Sequence, residues 1–432
     1  MERLESAAAY ILERAAAMGA DTAQCTVSES KTVEFNMDGG EFSLMRTLYD
    51  DSAAITIFKE KRRGQVAVNS LAEEELDAAV AQALEACAGA QPDDAWEINS
   101  EAEERDFTDG CLTPDRERLF ARTQELAADI AQCHPKILIT QLIDQHVREQ
   151  KVYANSYGVT YRSDSGCYGL SVGYVARDGE TTTSIAGYGL TMKDLDTPFI
   201  EQGLLEESLT ETERQLVPSP VSGKFVGVAV MKPDCVANMI SVIRQNFLGD
   251  SVLLDGSSIW KDKLGEPVAD ARLSVRVAPG DARIVCGQKY TGEGYPAEDF
   301  DLIKDGVLTG FDISQYVANK CAQQRAGNSS GAVIVAPGEQ SLEKIIRGID
   351  RGILVGGFSG GRPAPSGEFS GVAKNSFLIE HGAVTGALTE TMISGNIAAM
   401  LRAVRGISRE TQEDGSTCLP YVAFDGVTIS GK

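Results

Sequence analysis

A chain of 432 residues is too long for one ordinary hydrophobic core, and 43% hydrophobic with 24% charged residues is the composition of a soluble globular protein of two or three domains. The net charge of −23 and the pI near 4.6 create a negative field that excludes direct binding of nucleic-acid backbones and anionic lipid. The N-terminal stretch alternates charged with apolar residues, and no segment reaches the roughly 18 to 20 apolar residues of a membrane span, so a cytoplasmic protein is expected.

In chain order, Leu4, Ala8, Ile11, Leu12 and Ala15 lie on one helical face, and Gly19 stands where a C′ glycine ends a helix. Five alternating segments follow, "AQCTVSES", "TVEFNM", "FSLMRTLYD", "AAITIFKE" and "QVAVNS", with turn signals at "DGG" and "KRRG"; an antiparallel meander is predicted. The basic cluster Lys59 to Gly64 belongs at a hairpin tip rather than in a binding patch. The run "SLAEEELDAAVAQALEACAGA" predicts a second helix with Ser70 as N-cap, Glu73 as its capping-box partner and Gly89 at its end. The next stretch, "QPDDAWEINSEAEERDFTDG", lacks periodicity and reads as a loop. A third helix then starts at Thr113 and Pro114.

From Lys136 to Met192 the pattern is again strand-like, with hairpin turns expected at "NSYG", "SDSG" and "ARDGE". A helix over "IEQGLLEESLTETERQL" leads into "VPSPVSG", whose prolines and glycine mark a domain boundary. Beyond it come short glycine-rich strands, with helices around Asp234 to Phe247, Ser341 to Asp350 and Ile397 to Arg405. The expected class is α+β. Residues 1–217 form an N-terminal domain of helices with an antiparallel sheet, and residues 218–432 a C-terminal domain with a mixed sheet or open barrel and few helices.

Few motifs carry chemistry. "GFSGG" fits G-x-S-x-G with Ser359 in the nucleophile position, but Pro363 and Pro365 forbid the helix that such an elbow needs, so a glycine-rich loop is expected there. The three histidines, His134, His146 and His381, lie far apart and read as surface or hydrogen-bonded residues. Glu298, Asp299, Asp301 and Asp305 read as a solvated acidic strand, since their spacing is not that of a calcium loop. Nucleotide-binding glycine motifs are absent, so no cofactor is expected. The nine cysteines are scattered with no C-x-x-C pair, which argues against a disulfide framework and a zinc knuckle; most are expected to be small buried apolar residues.

Over essentially its whole length the chain resembles the TldD/PmbA family. In the N-terminal half the resemblance rests on "GAD" at Gly19 to Asp21, "DGGEFS" and "GQVAVNSL". In the C-terminal half it rests on "DLIKDGVLTGF", "AGNSSG", "SLEKIIRGIDRGILV", "SGEFSGVAKNSFLIEHGAV" and "TETMISGNIAAML". The resemblance implies a two-domain, dimerising protein concerned with proteolysis or maturation of peptides and unfolded segments. The family also carries the older description "modulator of DNA gyrase".

The TldD-like branch holds zinc with H-E-x-x-x-H on a helix and a cysteine near the C-terminus. Laid on that pattern, this chain has Ser241 and Asn246 in the histidine positions and Val242 in the glutamate position, and no histidine or glutamate occurs from Pro233 to Trp260. Only Cys418 matches the ligand set, so the chain looks like the metal-free PmbA (TldE) branch: no catalytic residue, no metal, and a zinc-bearing TldD-like chain as heterodimer partner. The alternative is a homodimeric peptide-binding protein that works without such a partner. In either role, Gly356, Gly357, Ser359, Gly360 and Phe369 are expected to form part of a groove for a peptide or unfolded-protein substrate, paired by strand addition.

Overall fold

The structure is a computed structural model, and it describes residues 1–431 apart from 362 and 390. The N-terminal half runs α1 (Glu2–Ala17), β1 (Thr22–Asp38), β2 (Glu41–Lys59), β3 (Arg62–Val68), α2 (Glu73–Gly89), β4 (Glu104–Gly110), α3 (Arg116–Cys133), β5 (Ile137–Asn155), β6 (Thr160–Asp178), β7 (Thr181–Thr182), β8 (Ala186–Met192) and α4 (Leu205–Arg214). Its sheet has the order β3-β2-β1-β5-β6-β4, with β7 and β8 also on β6. All of these pairings are antiparallel except β4 on β6, which is parallel.

Side chains alternate between the faces of a strand. One face of β1 carries Cys25 and Val27, packed with Leu4 and Ile11 of α1 and Val80 of α2, and farther along Val33 and Phe35, packed with Leu119 and Leu126 of α3. The three helices therefore share one face of a long sheet. The opposite face turns Tyr153 and Tyr161 toward the C-terminal half.

That half contains β9 (Pro218–Pro220), β10 (Lys224–Met231), α5 (Pro233–Ile243), α6 (Asp250–Leu254), β11 (Val275–Val277), β12 (Phe300–Lys304), β13 (Val307–Leu308), α7 (Gln315–Cys321), β14 (Val333–Val335) and α8 (Leu342–Arg347). It continues through β15 (Arg351–Val355), β16 (Gly357–Gly360), β17 (Glu368–Lys374), β18 (Phe377–Glu380), β19 (Ala383–Thr389), β20 (Met392–Asn396), α9 (Ile397–Arg402), β21 (Val404–Glu413) and β22 (Cys418–Ser430). These strands form one mixed sheet, in which β10 lies parallel to β15 and antiparallel to β22. The class is α+β, as expected.

Two aromatic contacts join the halves. Tyr290, between β11 and β12, stacks on Tyr161 at 5.0 Å and lies 5.7 Å from Tyr153. Trp96 stacks on Tyr316 of α7 at 3.8 Å. Backbone bonds reinforce the first contact, with Asn99 N–H donating to the Glu293 carbonyl at 2.9 Å. Among the described residues no helix is long and apolar enough to cross a membrane.

Several sequence expectations need correction. The first four meander segments fuse into two strands, β1 and β2, because β1 is hydrogen-bonded on both edges and its polar Ser28 to Lys31 stay in the ladder. The turn at Gly39 and Gly40 is where "DGG" puts it, both residues having positive φ of 60° and 84°. Ser70 is not the N-cap of α2: its Oγ accepts from Ala72 N–H at 3.2 Å, and the helix starts behind Ala72 with Glu73, Glu74 and Glu75 favourable to its dipole. Asp115, not Thr113, caps α3, by accepting from Arg118 N–H at 3.0 Å. "SDSG" is interior to β6, and the aperiodic "loop" contains β4, an exposed edge strand with no apolar face to reveal it. Only Cys25, Cys87, Cys235 and Cys418 of the nine cysteines are buried, so most are not core residues.

Asp144 is fully buried beneath α3, where its Oδ2 accepts from Thr123 Oγ1 at 2.8 Å. Burial holds its carboxyl well above the usual carboxylate range. The folded state therefore keeps a proton that the unfolded chain releases near pH 4, and stability is lost as pH rises above that value. Asp144→Asn should raise the melting temperature at about pH 7 to 8 and bring little change at about pH 4. Thermal denaturation across that range checks it; a gap independent of pH would refute the protonated carboxyl.

Candidate functional site

The helix that the resemblance singles out begins where β10 ends. Lys232 is extended, Pro233 occupies the first helical position, and Val236, Met239, Ile240 and Ile243 bury one face. From Arg244 to Leu248 the helix widens into a π turn. In a regular α-helix, residues five apart point roughly 140° away from each other. One i→i+5 turn narrows that angle, and π turns inside helices recur at functional sites. The π turn includes Asn246 but begins after Ser241, so it narrows the angle between these two positions.

The side chains there are not ligands for zinc. Ser241 is exposed and accepts from Gln245 Nε2 at 3.1 Å. Val242 is partly buried against the core. Asn246 donates from Nδ2 to the Pro363 carbonyl at 3.1 Å. Cys418 is fully buried in β22, where Arg283 Nη1 donates to its sulfur at 2.9 Å and Glu413 lies 3.8 Å away. Burial raises the Cys418 thiol, with Arg283 opposing. A hydroxyl, an isopropyl group, a committed amide and a protonated thiol do not make the deprotonated N/S/O set that zinc takes. Among the described residues no three His, Cys, Asp or Glu converge into a metal-holding group.

The histidines are held separately. His134 meets Glu213 at 3.3 Å, His146 donates to the Cys111 carbonyl at 2.6 Å, and His381 at a hairpin tip meets Asp350 at 3.0 Å.

What α5 does border is a cavity of about 280 Å³, shared with the β16–β17 hairpin, β20 and α9. Its apolar wall includes Met239, Val242, Phe358, Phe369 and Met400. Phe358 meets Phe369 edge to face at 5.7 Å. The ring of Phe358 lies over Gly360 and Gly371, where a Cβ would come within 2.6 and 2.4 Å of it. The segment expected as a loop is thus a hairpin arm: Ser359 pairs with Val372, and β16 has no second strand partner among the described residues.

Of the five expected groove residues, Gly360 and Phe369 line this cavity. Gly356 lines a neighbouring polar pocket with Lys232 and Asp234, while Gly357 and Ser359 line neither.

A second cleft, of about 800 Å³, lies between the far face of the N-terminal sheet and the C-terminal half. Gln141, Gln145, Gly169 and Gly189 form one wall, and Asp234, Gln412 and Asp414 the other. Burial and then Asp414 push the Asp234 carboxyl up, while the bond from Gln412 Nε2 at 3.2 Å pulls it down. These residues are scattered through five segments, and no sequence motif connects them.

A profile of the PmbA/TldA metallopeptidase C-terminal domain matches residues 226–431. The metalloprotease PmbA of Escherichia coli O157:H7 is 24% identical, covering 98% of this chain and 96% of its own. The C-terminal half of the chain is a PmbA/TldD-family domain. TldE from Thermococcus kodakarensis shares the fold with a TM-score of 0.80 at 22% identity, over 99% of this chain and 100% of that one. A Bacteroides thetaiotaomicron protein named as a modulator of DNA gyrase superposes with a TM-score of 0.85 at 20% identity, over 99% of both chains. The chain is therefore similar to metalloprotease-related proteins and to proteins named for DNA gyrase.

Asn246→Ala should cost about 1 kcal/mol of stability, the usual worth of such a bond. It should also speed proteolytic cleavage in the Pro363–Gly367 segment. Chemical denaturation and limited proteolysis read the two effects; an unchanged cleavage rate would mean that Asn246 does not pin the segment.

Proposed function

We propose that this chain is the non-catalytic member of a heterodimer with a zinc-bearing TldD-like chain, acting in proteolysis or maturation of peptides. The observation that supports this reading is the helix α5 with its π turn: at the place where the family resemblance puts a metal-holding helix, it presents Ser241, Val242 and Asn246. Valine accepts no proton from water, so position 242 has no general base to offer. In this reading the boundary between residues 217 and 218 separates two domains, since β9 at Pro218–Pro220 already pairs with β19 of the second sheet.

The role left to α5 is to wall a peptide groove. An extended peptide would add to the free edge of β16, and one large apolar side chain would enter the cavity beside Phe358 and Phe369. Both walls come from a single chain, which also supports the second reading, a homodimeric peptide-binding protein that needs no TldD-like partner.

Elemental analysis of the untagged chain should find zinc far below one equivalent. Mixing with the TldD-like chain from the same genome should yield a 1:1 complex by size-exclusion chromatography. About one zinc per chain would overturn the non-catalytic reading, and a stable homodimer that never exchanges with the partner would select the second. Phe358→Asp places a charge in the apolar cavity and should weaken binding of an unfolded-protein peptide by about tenfold or more. Titration by fluorescence anisotropy measures it, and unchanged affinity would remove the groove from the proposal.

A further inference from the structure

The contact between the two halves brings two thiols together that the proposed function does not use. Cys167 lies on β6, on the face turned toward the C-terminal half, and Cys286 lies between β11 and β12. The Cys286 thiol donates to the carbonyl of Gly166, the residue before Cys167, at 3.5 Å. The two thiols also act on each other's titration, Cys286 lowering the Cys167 thiol and Cys167 raising that of Cys286. Both are partly exposed, so a small reagent can reach them.

The backbone holds this meeting in place. Cys286 has φ of +50°, a conformation uncommon for a side-chain-bearing residue, and Val285 N–H before it donates to the Gly415 carbonyl at 2.7 Å. Gly110 leaves the space the sulfur needs: a Cβ there would lie 2.9 Å from Cys286 Sγ. Segments from three parts of the chain thus converge to place one sulfur beside another.

We infer that Cys167 and Cys286 are an oxidation site, which a hydroperoxide converts to a disulfide tying the N-terminal sheet to the segment that carries Tyr290. The Cys167 thiolate attacks the peroxide, forming an S–O bond and breaking O–O, and leaves sulfenic acid and hydroxide, or an alkoxide from an organic peroxide. The Cys286 thiol then displaces water from that sulfur, forming S–S. In sum, two thiols and one hydroperoxide give one disulfide, one water and one water or alcohol.

Cys167 is the attacking group, since Cys286 holds its proton in the bond to the Gly166 carbonyl, and the neighbouring Cys286 lowers the Cys167 thiol against the opposing effect of burial. Three other thiols compete poorly. Burial pushes Cys25 and Cys235 up to about 12. Cys111 is engaged with the Thr113 carbonyl at 3.1 Å and the Tyr168 hydroxyl at 3.5 Å.

The test treats the reduced full-length chain with one equivalent of hydrogen peroxide, unfolds it in guanidinium chloride, blocks free thiols with iodoacetamide, and maps linked peptides without reduction. Two of the nine thiols should escape alkylation, in a Cys167–Cys286 peptide pair lighter by two hydrogens. Cys286→Ser should abolish the link and leave a sulfenic acid at Cys167 that dimedone traps, whereas Cys167→Ser should show neither and Cys111→Ser should keep the link. Nine alkylated thiols, or a link from Cys167 to Cys111, would overturn the inference. The wild-type peptide map decides this even if a variant folds poorly, and the result is independent of zinc content or partner binding.

Discussion

One strand, β22, hydrogen-bonds to four others: β10, β14, β20 and β21. A strand so thoroughly paired has no free backbone groups to offer water, and its first seven residues, Cys418 to Phe424, are all buried. Everything around the apolar cavity hangs from it. Its pairing with β10 aims that strand so that α5 leaves at the right place; its pairing with β20 fixes β17, which in turn holds β16. The two walls of the cavity are thus set by separate ladders on one strand, and their spacing follows from backbone hydrogen bonding rather than from contact with each other.

The elements with strong periodicity were legible. Helix α1 ends as Gly19 predicts, with Ala20 N–H reaching back to the Ala15 carbonyl at 3.0 Å, and the turns after Asp38 and Asn155 fall at their signals. What escaped were elements whose cause is not local. β4 is exposed and polar and exists because β6 offers it an edge; β20 likewise has a partner far away in sequence, with Met392 opposite Ser430 of β22. The short helices α6 and α7 lack the length for a period to show.

The candidate site divides in the same way. That Ser241, Val242 and Asn246 are neither histidine nor glutamate was readable from residue types alone, because a residue's identity needs no coordinates. Where Cys418 lies was not readable. Its partners Arg283 and Glu413 come from other segments, and neither belongs to α5. The polar cleft was invisible for a related reason: Gln141 and Gly169 become neighbours of Asp234 only because the helices occupy the other face of the N-terminal sheet.

That division of faces limits how the chain can change in length. In β6, the 19 residues from Thr160 to Asp178 send Tyr168, Leu170, Val172 and Tyr174 under the helices, and Tyr161, Cys167 and Gly169 to the opposite side. Inserting or deleting a single residue in the strand exchanges the two sets beyond that point, driving tyrosines into the cleft and glycines into the core. With partners on both edges, β6 cannot slide to absorb the error. Length variation is admissible at tips such as Gly39–Gly40 and Gly179, where the chain reverses in solvent, so insertions and deletions should collect at such turns while the long strands keep their residue count.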